Sequence, residues 1–260
     1  EHGPAQHEIN IKYSDILNNC DNHILLKQCI KHTAYSNGYG CTFMAKPTSS
    51  SGSSCHLHLS AFINKTTNIF KPITEEDQYL IKSNNIKIHN NMYYFIGGLL
   101  RYVEELFLIW APLVNSYKRY RLYSFAPFYI NTWSYDNKTS AVRVLGEGDS
   151  LHLEFRLPGA DVNPYLLLTA VIAAGIKGIE DKIIPPPILE GNAYLKDSSQ
   201  FITAPNNIYE AAKIFEKSQF AEEVFGSKMK EILVRSAMNE WNEYMDHISS
   251  FELNRYLDLA

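Results

Sequence analysis

Gly52-Ser53-Ser54-Cys55-His56-Leu57-His58-Leu59-Ser60 is the stretch around which the rest of the chain is organised. Strand periodicity sets His56, His58 and Ser60 on one face and Cys55, Leu57 and Leu59 on the other. The second face suits a core. The first offers two imidazoles and a hydroxyl, a poor filling for a core and a good lining for a site. The Gly/Ser run before it lets backbone amides come close to an anion. By itself a His-x-His strand leaves two readings open, a ligand set or hydrogen-bonded surface histidine.

The chain has 260 residues of near-average composition, enough for one large domain with its own core or two small ones. A net charge of −4 with acids and bases dispersed gives no basic footprint for nucleic acid. No apolar run reaches membrane-span length. Cys20, Cys29, Cys41 and Cys55 have no paired spacing, which suits a reducing, cytoplasmic setting. Asn64-Lys65-Thr66 and Asn137-Lys138-Thr139 match a glycosylation sequon by chance, since no secretory segment accompanies them. The sequence opens on Glu1, inside residues that read as functional, so a piece of a longer protein is expected.

Outward from the histidine strand, Glu1-His2-Gly3-Pro4-Ala5-Gln6-His7-Glu8 places two carboxylates seven residues apart. A straight strand would point them to opposite faces, but a bend at Gly3-Pro4 can bring both to one point. Converging carboxylates repel unless a cation lies between them. The plainer reading is a polar turn before a strand from Glu8 to Lys12. Ser14 or Asp15 then caps a helix reaching Asn37-Gly38, with an apolar stripe of Ile16, Cys20, Ile24, Leu25 and Cys29. Cys41 to Met44 reads as a short buried strand.

Beyond the histidine strand, Thr74-Glu75-Glu76-Asp77 reads as a helix start, and Tyr93 to Leu106 as a core helix stopped at Pro112. Lys118, Arg119 and Arg121 are either a solvated face or a grip for an anion, with Arg the better fork. Ala126-Pro127 begins a strand through Ile130 and Trp133, and Val142-Arg143-Val144 presents one arginine. Leu151 to Leu157 alternates, with Leu151, Leu153, Phe155 and Leu157 on one face and His152, Glu154 and Arg156 on the other. Glu154 there is either part of an ion-pair ladder or a ligand held by its neighbours. Asn163-Pro164 opens a buried helix, and Leu233, Ala237, Trp241, Tyr244 and Ile248 mark a closing helical region.

In order, Glu-x-Gly-Pro-x-Gln-x-Glu, Thr42-Phe43-Met44-Ala45-Lys46-Pro47, Gly-Ser-x-x-His-x-His, Asn-Ser-Tyr-Lys-Arg, Glu-x-Arg-x-Pro and Asn-Pro-Tyr-Leu resemble the catalytic domain of the glutamine synthetase family. The resemblance covers nearly the whole chain, most strongly residues 1 to 180. It implies an α+β fold, a curved antiparallel sheet backed by helices with a helical C-terminal region. It implies an ATP-dependent carbon–nitrogen ligase acting on glutamate and ammonia or an amine through γ-glutamyl phosphate. Two Mg²⁺ or Mn²⁺ ions per site, ATP as co-substrate and a ring-shaped homo-oligomer come with it.

By the same resemblance, Glu1 and Glu8 match ligands of one metal, and His56 and Glu154 match ligands of the other. His58 matches the histidine that contacts the reacting phosphoryl group. Gly52 matches the glycine whose backbone touches glutamate. Arg119 and Arg156 match arginines that hold the glutamate carboxylate, and Arg143 the phosphate-stabilising arginine. Ser60 and Lys138 fall where nucleotide or substrate contacts lie.

Four departures stand out. Ser51 replaces an asparagine, Asn137-Lys138-Thr139 replaces Asn-Arg-Ser, and His152 replaces a common arginine. Phe125, in Tyr123-Ser124-Phe125-Ala126-Pro127, stands where ammonia-using members carry a glutamate that closes the site and helps deprotonate ammonium. Phe125 can do neither, but a ring can meet the carbon chain of an amine. The Ser124-to-Pro127 and Gly159-to-Pro164 stretches resemble the branch that makes γ-glutamyl amides.

Residues 1 to 260 are thus expected to be one such catalytic domain, incomplete at its N-terminus. The family's small β domain and the strand bearing a Glu-x-Glu metal pair have no counterpart here, so the chain alone is expected to be inactive. The alternatives are a truncated, catalytically inactive family member that binds or builds, and a metal-dependent hydrolase using His56, His58 and Glu154.

Overall fold

The computed structural model describes residues 1–82, 84–121 and 125–259. After an irregular opening come α1 (Ile16–Ser36), β1 (Leu57–Leu59), β2 (Phe62–Ile63), β3 (Thr67–Asn68), β4 (Gln78–Ile81), β5 (Ile86–His89), α2 (Asn90–Arg101) and α3 (Phe107–Trp110). The second half adds β6 (Trp133–Tyr135), β7 (Val142–Leu145), β8 (His152–Phe155), α4 (Pro164–Glu180), α5 (Ile208–Lys217), α6 (Gln219–Asp246) and α7 (Ser250–Tyr256).

The central sheet has the strand order β1-β8-β7-β6. β8 pairs antiparallel with both β1 and β7, whereas the edge strand β6 runs parallel to β7. The sheet is therefore mixed rather than wholly antiparallel, its parallel edge made by a tight loop between β6 and β7. β2–β3 and β4–β5 form separate antiparallel ribbons.

The alternation of β8 sorts its faces as the sequence predicts. Leu151, Leu153, Phe155 and Leu157 are buried in the main core with Trp110, Trp133 and Phe107. Behind the sheet α2 crosses α4 so closely that a Cβ on Gly98 would lie 2.1 Å from the carbonyl oxygen of Ala174. Only glycine permits that approach. Asn163 caps α4 by accepting from the amide of Tyr165 at 3.0 Å, with Pro164 in the first turn.

α1 begins as expected, Asp15 accepting from the amide of Asn18 at 3.2 Å, and ends before Gly38, whose φ is +75°. Its apolar stripe is only partly used. Cys20 is buried, but Ile16, Leu17, Ile24 and Leu25 are exposed, with Ile16 and Leu17 lining an open cleft between α1 and α4.

Several sequence expectations are corrected. Glu8 to Lys12 and Cys41 to Met44 are not strands, and Cys41 and Met44 are exposed. No described strand lies alongside to complete a hydrogen-bond ladder for them. Phe43 is met instead by the ammonium groups of Lys27 and Lys31, 5.0 and 5.8 Å from its ring centre. Thr74 to Asp77 does not start a helix. Thr74 donates to Asp77 at 2.8 Å in a turn that leads into β4. Residues Ala126 to Thr132 are irregular, with a single bridge from Tyr129 to Thr203, and the strand itself is only Trp133–Tyr135. Within the segment read as a flap, Tyr123 and Ser124 lie outside the described residues.

Candidate active site

Strand pairing puts His58 on β1 and Arg143 on β7 directly opposite Glu154 on β8. Glu154 is buried, and its two oxygens take different partners. Oε1 accepts from Arg156 Nη1 at 2.6 Å and Oε2 from Arg143 Nη1 at 3.0 Å. His56 Nδ1 stands 3.2 Å from Oε1 and His58 Nε2 4.0 Å from it. Of the two readings of Glu154, the structure shows the ion-pair ladder directly and leaves a histidine beside it.

The histidines are neutral by position. Burial, then the charges of Arg156 and Arg119, drive the pKa of His56 down to about 2. His56 Nε2 is buried with no hydrogen-bond partner among the described residues. His58 is also held below its usual value, first by burial, with Glu154 pulling the other way. Its Nδ1 lies 3.2 Å from His152 Nε2, and His152 Nδ1 lies 2.7 Å from the carbonyl of Ser150. A carbonyl only accepts, so His152 Nδ1 carries a proton, and its Nε2 pairs with His58 Nδ1. His152, the replacement for an arginine, thereby fixes the ring of His58.

Arg119, expected by the resemblance to hold glutamate, makes a set of buried hydrogen bonds. It is wholly buried, donating to the carbonyls of Leu157 at 2.5 Å and Arg156 at 3.0 Å and to Ser54 Oγ at 2.7 Å. A Cβ on Gly52 would fall 2.7 Å from Arg119 Cγ. Arg119 thus lies against the Gly52 loop and ties it to the end of β8. Arg156, also expected to grip glutamate, is engaged with Glu154.

Glu1 and Glu8 do meet. The bend forms at Gly3-Pro4, closed by Gln6 donating to the Gly3 carbonyl at 3.1 Å. The Glu8 carboxyl is held above its ordinary value, first by a hydrogen bond with the Glu1 side chain, then by burial and the charge of Glu1, with Glu154 adding its own repulsion. Both residues are exposed. Ser60 and Lys138 are exposed too, and among the described residues no hydrogen bond or ion pair joins either to Glu154.

These donors suit a hard divalent cation: facing carboxylates that repel each other, and a neutral imidazole with an unspent buried nitrogen. His56 Nδ1 stands 3.2 Å from Glu154 Oε1, and the nitrogen left without a partner is the buried Nε2. The described residues furnish two such pairs, and no group of three or more His, Cys, Asp or Glu among them is close enough to hold a metal alone.

Sequence reasoning missed the residues that hold these groups in place. Gln6 accepts from the amide of Gly3 at 2.9 Å and donates to the carbonyl of Gly52 at 2.9 Å, docking the N-terminal turn onto the histidine-strand loop. Its only sequence signal is its place between Glu1 and Glu8. Ser54 and Asp136, on the arginines, have none. Phe125 has a left-handed φ of +62°, and its exposed ring lies 4.1 Å from that of His2, beside Glu1.

Residues 1–256 match the family model for the glutamine synthetase catalytic domain. The chain belongs to the glutamine synthetase family. It is 37% identical over 255 residues to a gamma-glutamylethanolamide synthetase of Streptomyces coelicolor, covering 98% of this chain and 52% of that one. It is 35% identical over 261 residues to a glutamate–isopropylamine ligase of a Pseudomonas species, covering 100% and 55%. A glutamine synthetase of Thermotoga maritima is 32% identical over 266 residues, covering 100% and 58%. The chain therefore spans about half the length of these relatives. The solved apo structure of GmaS superposes with a TM-score of 0.82 at 30% identity, over 95% of this chain and 55% of that one. A GmaS–ADP complex gives 0.83 at 29%, over 95% and 56%. The fold is that of the glutamine synthetase catalytic domain, as the motif order predicts.

Proposed function

We propose that this protein is an ATP-dependent ligase that joins glutamate to an amine through γ-glutamyl phosphate. The observation that carries the reading is the charge pattern on the sheet: Glu154 between Arg143 and Arg156, flanked by His56 and His58, with Glu1 and Glu8 facing it. Phosphoryl transfer needs fixed positive groups where charge spreads over the phosphoryl oxygens, and anionic ligands for the ions that accompany ATP. Both kinds of group are present, and Arg143 and Arg156 are held by their hydrogen bonds to Glu154.

In this reading the γ-carboxylate of glutamate attacks the terminal phosphorus of ATP and ADP departs. The amine nitrogen then attacks the acyl carbon and inorganic phosphate leaves. Arg143 steadies the transferring phosphoryl group, and His58, its ring set by His152, contacts it from β1, on the other side of β8. Gly52 offers backbone to glutamate over the Arg119 support. Glu1 and Glu8 would hold one Mg²⁺ or Mn²⁺ and His56 and Glu154 the other. When bound, the ions neutralise charge on the nucleotide phosphates. Ser60 and Lys138 are assigned to the nucleotide. The homo-oligomeric ring and the cytoplasmic setting belong to the same reading. Among the described residues no helix is long and apolar enough to cross a membrane.

Phe125 favours an amine over ammonia, because a ring beside His2 offers carbon contact and no carboxylate for ammonium. The test is ADP release by the intact protein from its own source, with glutamate, ATP, Mg²⁺ and a panel of ammonium, alkylamines and diamines. Glutamate-dependent turnover is expected, faster with an amine than with ammonium. Turnover independent of ATP and glutamate would overturn the reading in favour of a hydrolase, and no turnover with any acceptor would favour an inactive binding protein.

A further inference from the structure

Arg143 is gripped at both ends. One end meets Glu154 through Nη1 at 3.0 Å. At the other, Nε at 3.1 Å and Nη2 both donate to a single oxygen, Oδ1, of Asp136. Asp136 lies just beyond β6, on the loop leading to β7, and its backbone is fixed. Its φ is +43°, and its amide donates to the carbonyl of Val144 at 3.0 Å. Asp and Asn tolerate this left-handed conformation better than other non-glycine residues. The next residue pins the rest of the loop. Asn137 donates to the carbonyl of Gly191 at 2.7 Å and accepts from the amide of Thr139 at 2.9 Å, leaving Lys138 exposed between them.

We propose that Asp136 is the positioning residue for Arg143, orienting its guanidinium toward the nucleotide phosphates. This rests on the functional reading above. Charges alternate along Asp136, Arg143, Glu154 and Arg156. Of Arg143's two anchors, Glu154 is also bound by Arg156 and belongs to a candidate ligand pair, so it is a shared partner. Asp136 is not shared in this way, and it occupies the Nε edge. The N–H groups left over on the two terminal nitrogens are those that can meet a phosphoryl oxygen. The start of the loop bearing Lys138 is held separately, by the Asp136 amide and by Asn137.

Asp136→Asn and Asp136→Gly separate this role from a merely structural one. Asparagine keeps an Oδ1 acceptor and suits the left-handed backbone. Glycine suits the backbone and removes the acceptor. In the intact protein, Asp136→Gly should lower kcat about tenfold and weaken ADP binding, measured calorimetrically, while KM for glutamate stays within about twofold. Asp136→Asn should recover most of both losses. Equal kcat and ADP affinity in Asp136→Gly and wild type would overturn the proposal, as would an asparagine variant no better than glycine. If wild type forms no amide but binds ADP, the ligase reading fails, and the ADP affinities of the two variants still decide the role of Asp136. A wild-type protein that binds no ADP overturns both.

Discussion

The two carboxylate pairs of this site are built in opposite ways. Glu154 sits in the middle of a sheet, buried, with an arginine on each oxygen and a histidine alongside. Glu1 and Glu8 sit on an irregular, exposed segment and meet across a turn, where a hydrogen bond between them and then their mutual repulsion hold the Glu8 carboxyl above its ordinary value. The first pair is held by the fold whether or not a cation is present. The second is held by one glutamine, Gln6, that reaches the Gly52 loop. Buried opposite charges preorganise a site at a desolvation cost borne by the whole domain, whereas exposed like charges wait for their counter-ion.

The sharpest test of that contrast is to break each pair. Arg156→Ala leaves the buried Glu154 carboxylate without its closest partner, and should cost about 3–5 kcal/mol in urea unfolding. Glu8→Gln removes a repelling charge from an exposed segment, and should change stability by no more than about 0.5 kcal/mol. Comparable costs would mean that the arginines do not hold Glu154 in solution as they do here.

Between these extremes lies the loop that joins the two pairs. Gly52→Ala drives a methyl into Arg119 Cγ at 2.7 Å and the Ala45 carbonyl at 3.0 Å. A cost of about 1–3 kcal/mol is expected, because Arg119 is tied to three partners and cannot retreat freely. Thermal unfolding measures it, and a Gly52→Ala protein as stable as wild type would show that Arg119 yields. Gln6→Ala should cost only about 1 kcal/mol, yet amide hydrogen exchange over residues 1–8 should speed markedly. Unchanged exchange there would mean that the N-terminal turn does not depend on Gln6.

How much of this was legible in the sequence follows the same division. β8 was readable because alternation is a local property: Leu151 to Leu157 sorts itself without knowledge of its neighbours. The ends of α1 were readable because Asp15 and Gly38 are local start and stop signals. Glu8 to Lys12 and Cys41 to Met44 misread because a strand is completed by a partner, and their own residues do not say whether one lies alongside. Thr74 to Asp77 carries helix-start chemistry that serves equally well in a turn before a hairpin. Within the site, the residues with chemical signatures were found, Glu154, His56 and His58 above all. That Arg119 also props the Gly52 loop was not legible, because a guanidinium that grips a ligand and one that braces a loop have the same sequence. Asp136 and Gln6 were missed because an anchoring contact depends on distance in space, which no spacing in the chain records.

The smallest effect on stability should be the largest on choice of substrate. Phe125 is exposed, and its ring touches His2 beside Glu1, so it belongs to the loosely built side of the site. Phe125→Glu restores the carboxylate that ammonia-using relatives are expected to carry. It removes little buried apolar surface, so unfolding should shift by no more than about 0.5 kcal/mol. Its effect is on the acceptor. A carboxylate there can take up a proton from either cationic acceptor, while the apolar contact available only to an alkylamine is lost. The ratio of kcat/KM for alkylamine to that for ammonium should fall about tenfold, the discrimination that one or two methylenes of contact can supply. Competition between the two acceptors in a single reaction, read by mass spectrometry of the amides, measures that ratio without separate rate constants. An unchanged ratio would mean that the amine is recognised elsewhere, and that the loosely held half of the site binds the cation without choosing the substrate.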